Sequence, residues 1–255
     1  MFWTERLQTH GHTGWADWVV YSYDQIERLA VVEAALRQSP MQAGKALDFG
    51  CGTGDFSRLL LKMGFQVCGY DPFVKPTIGS KRFHYAPSSA HIPFADGTVD
   101  LALSVTVLDH ILQIDAVRNA ITTIANQLRV DGVFYLMEYA LDSPADREKY
   151  GLENEYQSFR TLEEWTELLR SASFRVLDIV AMAHPVIRPS QGYLAYTADP
   201  LTRLCRRISN RLLVRRVCAP MLRRKATRHV ESIGGYVTSG KGSSPLKLIR
   251  ACKAA

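Results

Sequence analysis

Lys45-Ala46-Leu47-Asp48-Phe49 runs into Gly50-Cys51-Gly52-Thr53-Gly54 and then into Asp55-Phe56-Ser57-Arg58-Leu59-Leu60. The first five residues read as a short buried strand. Phe56, Leu59, Leu60 and Met63 mark one face of a helix that Gly64 closes. Between the two, three glycines in five residues let the backbone come close to a ligand, and the helix start offers free N–H groups. A dinucleotide turn of the pattern G-x-G-x-x-G would need glycine at position 55, where Asp55 stands. An acid at that helix start repels a pyrophosphate, so a zwitterionic, net cationic ligand suits the turn better.

Outward from this turn, strands and helices alternate. Phe65 to Tyr70, Arg82 to Ala86 and Val99 to Val105 read as strands, and Asp115 as the cap of a helix with face Val117, Ile121, Ile124 and Leu128. Gly132 to Glu138 reads as a strand. Thr161-Leu162-Glu163-Glu164 caps a helix before a strand over Phe174 to Ala181, and Leu246 to Cys252 reads as the last strand. Upstream, Ser22-Tyr23-Asp24-Gln25 reads as a capping box opening a first helix with Ile26, Leu29, Val32 and Leu36 on one face. This rhythm predicts βαβ units and a mostly parallel, doubly wound α/β sheet covered on both faces.

One βα unit after the glycine turn comes Cys68-Gly69-Tyr70-Asp71, an acid at a strand end that can accept both hydroxyls of a ribose. Asp48 to Gly54 together with Gly69 to Asp71 resembles the class I S-adenosylmethionine (SAM) dependent methyltransferases. Ala90-His91-Ile92-Pro93-Phe94, Val99 to Ser104, and Arg129-Val130-Asp131-Gly132-Val133 are similar to further motifs of that family, and the resemblance covers about Tyr21 to Ala183. It implies a Rossmann-like, seven-stranded sheet and SAM as cofactor, with S-adenosylhomocysteine as product. Asp48, Gly50, Cys51 and Gly52 would then surround the methionyl part, and Asp71 and Pro72 the ribose. Ser88 and Ser89 stand where many relatives carry an Asp-Ala pair beside the adenine. Ser104 and Val105 would floor the sulfonium. His110, just past the fourth strand, is the candidate base, with Glu138 as a second catalytic candidate. Tyr21, Tyr139, Tyr156 and Arg160 are expected on the acceptor, with Trp15, Trp18 and Tyr23 beside Tyr21 in an aromatic lid. Relatives that hold a divalent metal place an acid where this chain has Thr106, so no metal is expected.

The 255 residues hold 47% hydrophobic and 22% charged side chains, which excludes disordered, collagenous and coiled-coil classes. Five cysteines (Cys51, Cys68, Cys205, Cys218, Cys252) lack zinc-like spacing and read as reduced thiols of a cytoplasmic protein. The start, MFWTERLQTH, lacks the apolar core of a secretory leader, and no apolar stretch approaches a membrane span. Net charge is +6, yet Leu201 to Val230 alone carries ten Lys or Arg and no acid, leaving −4 for the rest. The expected organisation is an aromatic arm and helix over 1–40, a SAM-binding core over 41–183, a basic helical insertion over 184–243 and a final strand over 244–255. A C-terminal appendage after a strand at Gly192 to Thr197 is the other arrangement.

A basic amphipathic helix suits an anionic surface, so peripheral membrane association and a lipid-linked acceptor join a plain small-molecule acceptor as expectations. RNA ranks lower, because residues 201–230 contain no Phe, Tyr or Trp to stack on bases. The leading reading is methyl transfer, by in-line displacement, to an oxygen or nitrogen of a small-molecule, sugar or lipid-linked acceptor. An RNA methyltransferase and a non-catalytic SAM-binding protein are the alternatives.

Overall fold

The computed structural model describes residues 2–14, 17–39, 41, 43–150, 156–182, 200, 203, 204, 220, 221, 224, 228, 237, 238 and 244–254. In chain order these form α1 (Phe2–His10), α2 (Trp18–Arg37), β1 (Lys45–Phe49), α3 (Asp55–Lys62), β2 (Gln66–Tyr70), β3 (Phe83–Ala86) and β4 (Val99–Val105). Then come α4 (Ile114–Gln127), β5 (Leu128–Leu141), α5 (Asp146–Tyr150), β6 (Arg160–Thr161), α6 (Leu162–Ser171), β7 (Phe174–Met182), β8 (Val237–Thr238) and β9 (Leu246–Lys253). The sheet runs β3-β2-β1-β4-β5-β9-β7-β8, with β6 paired beside β5. The first five strands are mutually parallel, and β9 lies antiparallel between β5 and β7. The seven strands read from the sequence are all present, and the two-residue β6 and β8 extend them.

Alternation along the strands builds two cores. Leu47, Phe49, Phe134 and Leu136 pack with Ile121 and Ile124 of α4 and Trp165 of α6. Ala46, Leu101, Leu103, Tyr135 and Met137 pack on the other face with Val32 and Leu36 of α2 and Leu60 of α3. Side chains that alternate across a pleat explain both sets. Chain order reverses between β1 and β4, so their carboxyl ends open a crevice that no crossover covers.

Three local expectations are corrected. Helix α2 begins at Trp18, where Asp17 Oδ1 accepts from the Val19 and Val20 amides at 2.9 and 3.3 Å. Ser22 therefore lies inside the helix and is buried rather than capping it. Gln113 occupies the α4 cap without a side-chain bond, and Asp115 instead pairs with Arg118 within the first turn. Strand β5 starts at Leu128, four residues early, because a register irregularity between Val99 and Leu101 and a left-handed Asp131 (φ 60°) absorb the extra length. The Thr161 cap of α6 is as expected, a reciprocal box with Glu164.

Of the basic segment, only Arg203, Leu204, Pro220, Met221, Arg224 and Arg228 are described, each helical and exposed. The rest of that segment, and the strand considered over Gly192 to Thr197, lie outside the described residues. Among those described, no helix is long and apolar enough to cross a membrane.

Candidate active site

The glycine turn is shaped by what surrounds it. Gly50, Gly52 and Gly54 have φ of 79°, 49° and 85°, in the left-handed region. A Cβ on Gly50 would stand 2.3 Å from Val107 Cγ2, so this position needs glycine twice over. The Gly50 and Cys51 amides donate to Tyr70 O at 2.7 and 3.0 Å, joining the turn to the end of β2.

Asp71 closes the same edge. Its Oδ2 accepts from Gly52 N at 3.0 Å, and its Oδ1 from Phe73 N and Val74 N at 2.8 and 2.9 Å. Three of a carboxylate's roughly four lone-pair sites are thus used by backbone, leaving about one, on Oδ2, for a ligand hydroxyl. Asp48 sits beneath the turn and accepts from Ser57 Oγ at 2.6 Å. Burial pushes its carboxyl up to about 7, against the Ser57 bonds that lower it and with Asp71 and Asp55 adding repulsion.

A cavity of about 890 Å³ lies over the carboxyl ends of β1, β2 and β4. That is near the top of the range for small-ligand sites and has room for a cofactor with a second molecule. Of the residues expected from the sequence, Gly50, Cys51, Gly52, Asp71, Pro72, Ser89 and Val105 line it on the turn side. Tyr21, His110, Tyr139 and Tyr156 line it as well. Asp48, Ser88, Ser104, Glu138 and Arg160 stand off its wall. Ser104 is fully buried in β4, and Ser88 Oγ bonds His91 Nδ1 at 2.7 Å.

Glu138 does not point to the acceptor side. Its Oε1 accepts from Val107 N and Leu108 N at 2.9 and 2.8 Å, fixing the loop after β4 from behind. Burial, then repulsion from Asp109, holds its carboxyl well above the usual range. Arg160, also placed on the acceptor by the sequence, is buried and donates to the carbonyls of Leu108, Ser158 and Ile111 at 3.3, 3.1 and 3.0 Å. Both side chains are spent on backbone groups.

His110 does face the cavity. Its Nδ1 lies 3.1 Å from Tyr156 O, and a carbonyl only accepts, so Nδ1 donates, while Nε2 stands 3.7 Å from Asp109 Oδ1. Gln157 Nε2 donates to Asp109 Oδ2 at 2.9 Å and stands 3.5 Å from His110 Nε2. The Trp3 ring meets the imidazole edge-on at 4.5 Å, and Phe2 stacks on Tyr156 at 4.7 Å. The aromatic cover therefore comes from α1. Trp18 and Tyr23, expected in it, are core residues, and Trp15 lies outside the described residues. Tyr21 does reach the cavity, donating to Asp55 Oδ2 at 3.1 Å with its ring stacked on His12.

Asp24, Arg28 and Thr106 also line the cavity and were missed as site residues. A legible signal existed, since Asp24 and Arg28 are an oppositely charged i, i+4 pair on α2. Among the described residues, no group of three or more His, Cys, Asp or Glu is placed to hold a metal ion. The turn fits a nucleoside sulfonium. Its backbone opens onto the cavity at Gly52, where a Cβ would meet only Thr13 Oγ1, and the Asp55 and Asp71 carboxylates on the wall give that edge a cation-compatible field.

A glycine turn and a strand-end acid, set at the reversal of a mostly parallel nine-stranded sheet, define the class I SAM-dependent methyltransferase architecture. The chain belongs to the methyltransferase domain family, whose model matches residues 22–179. It is 30% identical over 107 residues to a ubiquinone biosynthesis O-methyltransferase of Rhizobium rhizogenes, covering 38% of this chain and 42% of that one. The match thus spans about two fifths of that curated relative. Two solved structures share the fold. One is the 1,6-didemethyltoxoflavin-N1-methyltransferase of Burkholderia thailandensis with bound S-adenosylhomocysteine (TM-score 0.55, 19% identity, 92% of this chain and 81% of that one). The other is phosphoethanolamine N-methyltransferase 2 of Haemonchus contortus with SAM (TM-score 0.60, 16% identity, 100% and 60%).

Proposed function

We propose that this chain transfers a methyl group from SAM to an oxygen or nitrogen of a small-molecule acceptor, with oxygen favoured. One observation carries the reading: a single cavity joins the glycine turn and Asp71 at one end to His110 and an aromatic wall at the other. SAM supplies the electrophilic methyl on a sulfonium, which passes by in-line displacement with a neutral thioether leaving. The protein's part is alignment and exclusion of water. Gly52 and Asp71 hold the nucleoside end, Val105 and Thr106 floor the reaction centre, and Phe2 and Trp3 close the cavity over the acceptor. A hydroxyl acceptor must lose a proton, and His110, on the cavity wall with Nε2 beside Asp109 Oδ1 at 3.7 Å, is the group to take it when its ring is neutral. Residues 41–183 would form the cofactor-binding core, with 1–40 on the acceptor side.

The O-methyltransferase relative favours oxygen over nitrogen. Calorimetry with SAM and with S-adenosylhomocysteine should give binding in the micromolar range or tighter. His110→Ala should keep that affinity while S-adenosylhomocysteine release with a hydroxyl acceptor falls about 10²–10⁴-fold, the usual weight of a general base. No SAM binding by the wild-type chain would refute the proposal.

A further inference from the structure

Thr106 occupies a backbone conformation that its side chain disfavours. It follows β4 with φ 48°, in the left-handed region, where a β-branched residue is a true outlier. Its amide donates to Met137 O at 2.7 Å, and its hydroxyl accepts from Arg28 Nη1 across the cavity. Arg28 is itself 8% exposed and held through Nη2 by Asp24 Oδ2 at 2.7 Å, one turn earlier on α2. The residue after Thr106 is Val107, whose side chain fills the space above Gly50. Helix α2 is thereby linked to the glycine turn through three consecutive contacts: Asp24 to Arg28, Arg28 to Thr106, and Val107 to Gly50.

We propose that Arg28 is a positioning residue that, by gripping Thr106, holds the left-handed step at the end of β4 and so keeps Val107 seated on Gly50 and the turn shaped for SAM. The inference rests on the reading that this turn binds SAM. Its chemistry is conformational. Strain of this kind persists only where surrounding contacts over-determine it, and it concentrates at functional sites. Glu138 grips the next two amides from behind the sheet, but it does not touch Thr106. Among the described residues Arg28 is the group that holds the Thr106 hydroxyl, so its removal leaves the left-handed step to the Met137 carbonyl and the Glu138 grip alone.

A merely electrostatic role makes a different prediction, because Arg28 also balances the buried Asp24. The test is a double-mutant cycle read by calorimetric SAM affinity on the full chain: wild type, Arg28→Gln, Thr106→Gly and both together. Glycine takes a left-handed φ without penalty, so the Thr106→Gly background needs no grip. Arg28→Gln should weaken SAM about tenfold in the Thr106 chain, the left-handed cost of one non-glycine residue, and less than about threefold in the Thr106→Gly chain. Should Arg28→Gln fold poorly because the buried Asp24 loses its countercharge, the same cycle is run with Asp24→Asn/Arg28→Gln, which removes both charges, and melting temperature without SAM is read alongside. An equal loss in both backgrounds, or no loss in either, overturns the positioning role while leaving the proposed function standing. A wild type that binds no SAM removes both.

Discussion

Replacing Glu138 by Ala and by Gln separates two roles for one buried carboxyl. Its Oε1 accepts two backbone amides, Val107 N at 2.9 Å and Leu108 N at 2.8 Å, in a site with no solvent exposure. Glu138→Ala strands both donors. A buried unsatisfied amide costs about 1–3 kcal/mol, so the pair predicts a loss of roughly 2–6 kcal/mol before any cavity term. Glu138→Gln keeps the carbonyl oxygen where Oε1 stands and should cost no more than about 1 kcal/mol at pH 6. The pH dependence gives a second handle. Burial and then Asp109 raise the folded carboxyl above its ordinary value, so the folded state holds the proton longer than the unfolded chain does. The stability this proton provides is present at low pH and is lost as pH rises through the raised value. Glu138→Gln has no such proton, so the gap to wild type should narrow as pH rises above the ordinary carboxyl range. Urea unfolding followed by fluorescence, with the buried Trp165 among the reporters, measures all three chains. If Gln proves as damaging as Ala, the hydrogen-bond account of Glu138 is wrong.

Glu27 predicts a similar sign on α2: burial pushes its carboxyl to about 9, with Asp24 adding repulsion and Tyr23 and Arg28 offsetting part of it. Wild-type stability should therefore fall from the ordinary carboxyl value near 4.5 up to about 9, and Glu27→Gln should flatten that fall by at most ~3 kcal/mol between pH 6 and 8, a parallel urea series refuting it. For the basic segment 201–230, vesicle co-sedimentation with anionic lipid is expected at low salt. Arg206, Arg207, Arg215 and Arg216 changed together to Glu should abolish it, with SAM affinity intact, and a wild type that leaves vesicles in the supernatant ends the idea.

Much of the fold was legible because it rests on short-range patterns. The strands around Leu47, Val67 and Leu103 are apolar on both faces, as parallel strands covered by helices must be, and the glycines at 50, 52 and 54 announce a turn that only a φ above zero permits. The Thr161 cap was readable for the same reason, since its partner Glu164 lies three residues away. The Ser22-Tyr23-Asp24-Gln25 run has the same local grammar and misled. Tertiary burial claims Ser22 and Tyr23, while Asp17, five residues upstream, takes the cap. Asp24 is turned inward to Arg28, a use that no local pattern specifies.

The misplacement of Glu138 has a sharper cause, because the information to avoid it was present. The sequence offers Glu138 as a catalytic candidate and its neighbour Tyr139 as an acceptor contact, both at the end of the fifth strand. Successive side chains on a strand point to opposite faces, so two adjacent residues cannot share one wall. Phe134 and Leu136 pack toward α4 and α6, while Tyr135, Met137 and Tyr139 pack toward α2. Parity alone puts Glu138 with the first set and Tyr139 with the second. Only the second face meets α2, whose Asp24 and Arg28 reach the cavity, and Tyr139 does line it. A motif position thus locates the backbone at the sheet edge, and in β5 the strand's period of two turns Tyr139 toward the cavity and Glu138 away from it. Applied one strand over, the same rule separates Ser104, fully buried in β4, from Val105, which lines the cavity floor. The two neighbours were expected to share that floor, and the pleat admits only one of them.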